Sequence, residues 1–527
     1  MLRRDFLTGA AAATILPCPA LAQAAKARVL RYIPQSDVTV LDPVVTTAYV
    51  TRNHGLMIWD QLYGLDAQLR PQPQMVEGHQ IEDDGKRWIF RLRDGLAFHD
   101  GTPVRGRDCV ASIRRWAQRD ALGQALLARA DELSAPDDRS FVIRLKRPFG
   151  AMLSTLAKLG PPALLIMPER LAALDPSQQI KEIIGSGPFR WNASERVVGA
   201  RAVYDRNTAY VPREGGETSW VAGPKRVYFD RVEWTVIPDP STAASALATG
   251  EVDWWENPSN DMLPLLRASP DIVTRLGTPL GNLGTGIFNH LHPPFDKQAV
   301  RQVVLEAMSQ ADFMTAAAGT DPSMWKAGIG IFTPGTPMAN DAGLDVITRP
   351  RDMQALRAAM KTAGYQGESV LLMAATDNPI LAAQGDVCND LLKQLGMNVD
   401  FFTSDWGTVV QRRASKERPE HGGWNMFNTT WAGLDTVNPV VMQVLRTDGD
   451  HGFFGWPNMP ELTALREQWL DAPDLAAQKS IAEKIQAAAL QLVPFLPTGQ
   501  YFYNTANRRS LKDVVDGQFV FWSVKRA

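Results

Sequence analysis

Two Asp-Gly pairs, Asp94-Gly95 and Asp100-Gly101, punctuate the stretch from Trp88 to Trp116 and leave it few ways to fold. Gly takes positive φ without steric cost and Asp hydrogen-bonds its own turn, so each pair marks a tight reversal. Ahead of the first pair, Trp88, Phe90 and Leu92 alternate with Ile89, Arg91 and Arg93. That is the period of a strand with one packed face and one wet face. A short Phe98-His99 strand is predicted between the reversals, and a helix from about Arg107 after them.

Strand and helix signals continue to alternate along the chain, as in an α/β protein. Residues 141–146 and 227–237 read as strands. Residues 241–249 read as a helix that Ser241 can cap and Gly250 can stop in the left-handed conformation. Residues 296–308 carry apolar side chains at 299, 300, 303, 304 and 307, one helical face. Helices also fit 352–363, 379–395 and 475–492, with strands at 397–402 and 424–428. Helix, glycine and strand succeed one another between 350 and 430, which predicts βαβ units with parallel pairing.

At 527 residues the chain exceeds a single ordinary core, so two or three domains are expected. Charge is nearly balanced, with 55 Lys and Arg against 57 Asp and Glu and no long run of one sign. That argues against nucleic acid or an anionic membrane surface as the main partner. The first 24 residues differ from the rest. Arg3-Arg4-Asp5-Phe6-Leu7 precedes a short apolar run and the small residues Ala20 to Ala24. This is the pattern of an export signal cleaved near Ala22–Ala24, and its paired arginines have the twin-arginine spelling. Cys18 follows Pro17 and lacks the small neighbour that a lipid anchor requires. No other segment is long and apolar enough to span a bilayer.

Catalytic signatures are missing: there is no G-x-S-x-G, H-E-x-x-H, Walker A loop or C-x-x-C. The glycines of Gly281-Asn-Leu-Gly284-Thr-Gly286 stand in the wrong order for a dinucleotide fingerprint. His290 and His292 could share a strand face as metal ligands, but with seven His in all and Pro293-Pro294 adjoining, no metal is expected. His99, between two turn glycines, is read as a structural hydrogen-bonding residue. Neither a cofactor nor a reaction is expected.

The block from Trp88 to Val104 resembles the F-x-L-R-x-G-x-x-F-H-D-G-x-P signature of the bacterial extracellular solute-binding proteins of family 5, the dipeptide and oligopeptide type. Leu41-Asp42-Pro43, Trp59-Asp60-Gln61-Leu62-Tyr63, Gly185-Ser186-Gly187-Pro188-Phe189, Pro293-Pro294-Phe295-Asp296 with Val300-Arg301-Gln302, and Ala363-Gly364-Tyr365 resemble further motifs in family order. Two departures are Val303, where Ala is usual, and Leu291-His292 ahead of the prolines. The resemblance implies a two-lobed periplasmic-binding-protein fold of type II (a Venus flytrap) with an extra inserted domain. Residues 25–58, 185–280 and 497–527 would form lobe I, 59–184 the inserted domain and 281–496 lobe II. The chain would cross between lobes near Gly281–Gly286 and Leu496–Gly499. Cys109 and Cys388 then fall in different parts, so two buried, unpaired thiols are expected.

The chain holds 15 Trp, several of them at element ends beside polar groups: Trp254-Trp255-Glu256-Asn257, Trp406, Trp424 and Trp431. Trp gives a flat apolar wall and one N–H donor, which suits a solute pocket. By resemblance, Trp431 and Trp406 wall the site, and Arg413 meets a ligand carboxylate. Placed on one helix starting near Asp405, Trp406 and Arg413 can face one cleft. Thr47, Ala48 and Tyr49 match a ligand-pairing loop, while Glu256, Asn257 and Tyr501 fall in other ligand-facing turns. The family's ammonium-binding Asp is replaced by Leu434, with Asp435 one residue later. Either an insertion lets Asp435 reach the pocket, or no ammonium is bound in that way.

The resemblance thus implies a monomeric periplasmic protein that captures a peptide or peptide-like organic solute and passes it to the transmembrane subunits of an ABC permease. The alternatives are the same fold binding an opine, a sugar, an aromatic or a metal chelate, or an exported hydrolase.

Overall fold

The computed structural model describes residues 28–527; the export signal and Cys18 lie outside the described residues. Three sheets organise the chain. A seven-stranded sheet runs in the order Ile272–Leu276, Asn504–Arg508, Trp254–Trp255, Val29–Ile33, Arg231–Thr235, Arg201–Arg206, Phe189–Trp191. A six-stranded sheet runs Trp325–Lys326, Phe495–Tyr501, Asn282–Phe288, Met426–Ala432, Ser369–Ala375, Asn398–Ser404. A four-stranded antiparallel sheet, Val76–Glu82, Arg87–Leu92, Ser140–Leu145 and Ala130–Asp137, lies within the stretch that interrupts the first sheet's sequence. Apolar side chains below the four- and six-stranded sheets join in one buried cluster, and those of the seven-stranded sheet form another.

Local chemistry accounts for most boundaries. The strand Arg87–Leu92 buries Trp88, Phe90 and Leu92, and the Phe90 ring stacks on Phe141 of the next strand at 4.7 Å. The helix Met353–Thr362 is capped by Asp352, and Pro379–Gln394 by Asn378 with proline in its first turn. The strands Ser369–Ala375 and Asn398–Ser404 pair in parallel across that second helix. The helix predicted at 241–249 is Pro240–Thr249, and its cap is Asp239, whose carboxylate accepts from Thr242 N at 2.7 Å. Pro240 suits the first helical position, which moves the cap upstream of Ser241.

Two expectations are corrected. No strand forms at Phe98-His99; a single bridge joins Ala97 to Pro103. Reversals so close together leave no room for a ladder, and His99 binds a distant loop instead. Its backbone N–H donates to Gly185 O at 2.8 Å, its Nδ1 accepts from Gly185 N at 3.3 Å, and its Nε2 donates to Gly187 O at 3.2 Å. Burial lowers this imidazole to about 4, so it stays neutral with its proton on Nε2. The second crossing also differs. Phe495–Tyr501 is a strand of the six-stranded sheet throughout, and the chain passes to the other sheet at Phe502-Tyr503, beyond Leu496–Gly499. Gly499, at φ 117°, serves a register shift against Gly284 and Thr285 and not a hinge. The first crossing lies between Leu276 and Asn282, where Gly281 takes φ 52° with Tyr501 O packed against it.

Ion pairs tie the interrupting segment to the chain before and after it. Asp42 and Arg115 are 0 % and 1 % exposed and meet at 2.7 Å. Asp42 also accepts from Val44 N and Ile180 N at 3.0 Å, so the buried carboxylate is fully bonded. Across the other boundary, Arg129 reaches Glu467 at 2.7 Å and Asp471 at 3.1 Å. Cys109 and Cys388 are free and buried. Removing one partner of a buried pair leaves a bare charge, so Asp42→Ala is expected to lose about 3–5 kcal/mol in urea unfolding. The double change Asp42→Leu with Arg115→Met should recover most of that loss. A single-variant loss below about 1 kcal/mol would show that the pair contributes little.

Candidate ligand-binding site

The two crossings lie against a cavity of about 700 Å³ between the larger sheets. Its position follows from strand direction. Val29–Ile33 and Trp254–Trp255 run parallel, and Gln35 and Glu256 just beyond their carboxyl ends line it. On the other side, Asp377 to Ile380 follow the carboxyl end of Ser369–Ala375. In open α/β sheets ligands bind outside the carboxyl ends of strands, where loops free of ladder bonds can present side chains. The volume falls within the range of small-molecule sites.

The helix Tyr49–Ile58 presents Tyr49, Arg52 and Asn53 to this cavity. Spacings of three and four residues bring them to one helical face. The Arg52 guanidinium lies 4.7 Å over the Tyr49 ring, and its Nε and Nη2 donate to Asn53 Oδ1 at 3.1 and 2.6 Å. The Tyr49 hydroxyl donates to Asp435 Oδ2 at 3.0 Å, joining the two sides of the cleft. Asp435 follows the cavity-lining Ala432 to Leu434, and the cationic Lys158 lies near it.

Two carboxyls here are pushed well above their ordinary range. Burial lifts Glu256 to about 7, against the Gln35 N–H that donates to it at 2.7 Å and the charge of Arg52. Burial likewise lifts Asp435 to about 6, against Lys158, the Tyr49 hydroxyl and Arg52. A chain can keep such groups where a ligand will supply what water no longer does.

Of the residues singled out in the sequence, Tyr49, Glu256, Asn257 and Tyr501 line the cavity. Thr47 and Ala48 are exposed just ahead of the helix, where Ala48 is its uncapped N-terminal residue. Trp406, Arg413 and Trp431 are not among the lining residues and form a second cluster with Phe453 and Phe454. The Trp431 ring meets Phe453 at 5.4 Å, Phe453 meets Phe454 at 5.1 Å, and Arg413 lies 4.5 Å over Phe454 and 5.6 Å over Trp406. The helix Trp406–Arg412 begins at Asp405, and the backbone N–H of Trp406 donates to the cavity residue Asp377 at 2.8 Å. This cluster is thus one hydrogen bond from the cavity wall. Trp254 and Trp424 are core residues, donating to Thr505 Oγ1 and Arg413 O. His290 and His292 bond backbone carbonyls of Pro494 and Lys416. Among the described residues no cluster of three or more His, Cys, Asp or Glu is placed to hold a metal, and no helix is long and apolar enough to cross a membrane. Sequence reasoning missed Arg52, Asn53 and Gln35; the i+3 and i+4 spacing from Tyr49 could have found the first two.

The family model of bacterial extracellular solute-binding proteins, family 5, matches residues 70–453. A protein of Sinorhizobium fredii named as a probable peptide ABC transporter periplasmic-binding protein is 37% identical, over 100% of this chain and 99% of its own. The structure of the binding protein AgaA in complex with agropinic acid superposes with a TM-score of 0.76 at 19% identity, covering 95% of this chain and 99% of that one. A dipeptide-binding protein from Pseudoalteromonas in complex with Met-Leu gives 0.76 at 20% identity, covering 95% and 100%.

The raised Glu256 carboxyl has a sign that can be checked. Between pH of about 4.5 and 7 the folded chain holds a proton that the unfolded chain has released, so stability falls as pH rises through that window. Glu256→Gln removes the effect. In urea titrations without ligand the variant is expected to exceed the parent at pH 8 by on the order of 2 kcal/mol and to match it only below a pH of about 4.5. Parallel pH profiles for the two proteins would contradict the assignment.

Proposed function

Because the chain belongs to the bacterial extracellular solute-binding proteins of family 5, and serves as the periplasmic binding component of an ABC importer, we propose that it closes over a small peptide or peptide-like solute in the cavity between its two larger sheets. The protein works by binding and not by catalysis. The observation that carries the solute class is the cavity's lining: a buried arginine, a raised carboxyl and backbone-rich loops within about 700 Å³. A dipeptide-sized molecule fits that space, and a long chain does not. Tyr49, Glu256, Asn257 and Tyr501 would contact the solute directly. Trp406, Arg413, Trp431 and Asp435 would shape the wall behind them.

Closure is a population shift. Contacts made only when both sides meet the solute move an open–closed equilibrium, and the permease subunits then engage the closed form. The loops at Leu276–Asn282 and Phe502-Tyr503 are the hinge on this reading. Their side-by-side placement lets two short segments take up the change in φ and ψ.

A second reading, a non-peptide solute such as an opine or a sugar, is favoured by one observation. The Asp435 carboxylate already takes the Tyr49 O–H bond and lies beside Lys158, so it is not waiting for a ligand ammonium. Asp435→Asn separates the readings: loss of affinity marks an ammonium partner, and unchanged affinity marks a solute without one.

Dipeptides and tripeptides are expected to change the intrinsic Trp fluorescence of the mature chain and to raise its Tm. A ligand at a hundredfold excess over Kd adds about 2.7 kcal/mol of stability. If a broad peptide panel moves neither signal, while mass spectrometry of co-purifying molecules finds another solute, the peptide assignment falls.

A further inference from the structure

We propose that the solute carries a carboxylate and that Arg52, on the helix Tyr49–Ile58, is the residue that binds it. The inference deepens the reading of the cavity as the solute site and rests on that reading. Arg52 is 4 % exposed and lines the cavity, yet among the described residues it forms no salt bridge. Its Nε and Nη2 are engaged by Asn53 Oδ1, and its Nη1 is buried with no hydrogen-bond partner. A buried cation with an idle donor is costly, and three other buried cations of this chain are each paired with a carboxylate. Arg115 meets Asp42 at 2.7 Å, Lys225 meets Asp60 at 2.7 Å and Lys158 meets Asp120 at 2.8 Å. Among the described residues Arg52 has no such partner, and it lines the solute space.

The guanidinium is also held ready. Asn53 fixes one edge and the Tyr49 ring supports one face, so little rotamer freedom remains to be lost on binding. The helix that carries it begins at Ala48 without a side-chain cap, so its first N–H groups add partial positive charge at that end. Glu256 and Asp435 limit the charge the site can take. Each is near enough for Arg52 to draw its pKa down, and neither reaches salt-bridge distance. A dianion would set two negative charges beside both carboxyls, whereas a carboxylate brings one, matched to one idle donor. Arg413 cannot take this role in place of Arg52, because its guanidinium is stacked on Phe454 and Trp406, outside the cavity lining.

The test uses the mature chain, calorimetry and thermal melting, with two probe sets: dipeptides as free acids and as C-terminal amides, and millimolar lactate against lactamide. Native protein is expected to bind the acids and to bind the amides about tenfold more weakly or worse. Arg52→Gln should lose the preference for acids, Arg52→Lys should keep part of it, and Arg413→Gln should keep it whole. Ligand-free Arg52→Gln should melt no lower than the parent, because it removes an uncompensated charge; a purely structural arginine would give a lower Tm. If acids and amides bind alike, or Arg52→Gln binds acids as well as the parent, the carboxylate assignment is overturned while the peptide reading stands. If dipeptides fail but lactate stabilises the parent and not Arg52→Gln, the peptide reading falls and the carboxylate site stands. If no acid of either set acts through Arg52, the proposal is wrong.

Discussion

Asp42 holds three segments that are far apart in sequence. Its two oxygens accept from Arg115 Nη1 and Nη2, from the neighbouring Val44 N and from Ile180 N, which lies where the interrupting segment returns. Arg115 in turn donates to Leu174 O and Gln178 O. The backbone after the first strand, the helix Gly106–Ala117 and the returning loop therefore share one charge centre. Each donor and acceptor there is used, so the low dielectric that makes a bare charge costly makes this network strong. The helix Tyr49–Ile58 starts only a few residues beyond Asp42, and that helix carries the cavity-facing Tyr49, Arg52 and Asn53. The position of these cavity-facing residues thus depends on the Asp42 network.

Signals complete within a few residues were legible in the sequence. The alternation at Trp88, Phe90 and Leu92 gave its strand, the helix predicted at 475–492 is Leu475–Leu492 as observed, and the helix–glycine–strand order between 350 and 430 gave parallel pairing. Features that depend on distant partners were misread. A Phe98-His99 strand was expected between the two reversals, but His99 spends its hydrogen bonds on Gly185 and Gly187. Gly499 looked like a hinge residue because glycine permits large changes in φ and ψ; only its partner strand shows that the freedom serves a register shift.

The candidate site divides in the same way. Tyr49, Glu256, Asn257 and Tyr501 stand next to element ends and could be placed from local pattern plus family resemblance. By resemblance, Trp406 and Trp431 were expected to wall the site and Arg413 to meet a ligand carboxylate. They stack instead with Phe453 and Phe454, whose approach comes from a loop that no local pattern links to them. Arg52 was overlooked because an arginine inside a short helix reads as solvated. Its 4 % exposure is a property of the folded packing around the helix, which the sequence pattern does not display.

The distribution of buried charge gives these observations one cause. Where Asp42, Asp60 and Asp120 are buried, each has a cation within hydrogen-bonding distance, and those pairs sit inside packed boundaries. Around the cavity the arrangement is left incomplete: Arg52 has an idle donor, while Glu256 and Asp435 are lifted towards neutrality. On the reading proposed above, this incomplete set of charges would cost more when the cleft is closed and empty than when it is open and water can solvate each group. A solute that supplied the missing anion would then lower the closed state selectively, and such a differential interaction is what a population shift requires. The same feature would then make the empty clamp reluctant to close and the loaded clamp distinguishable to the permease.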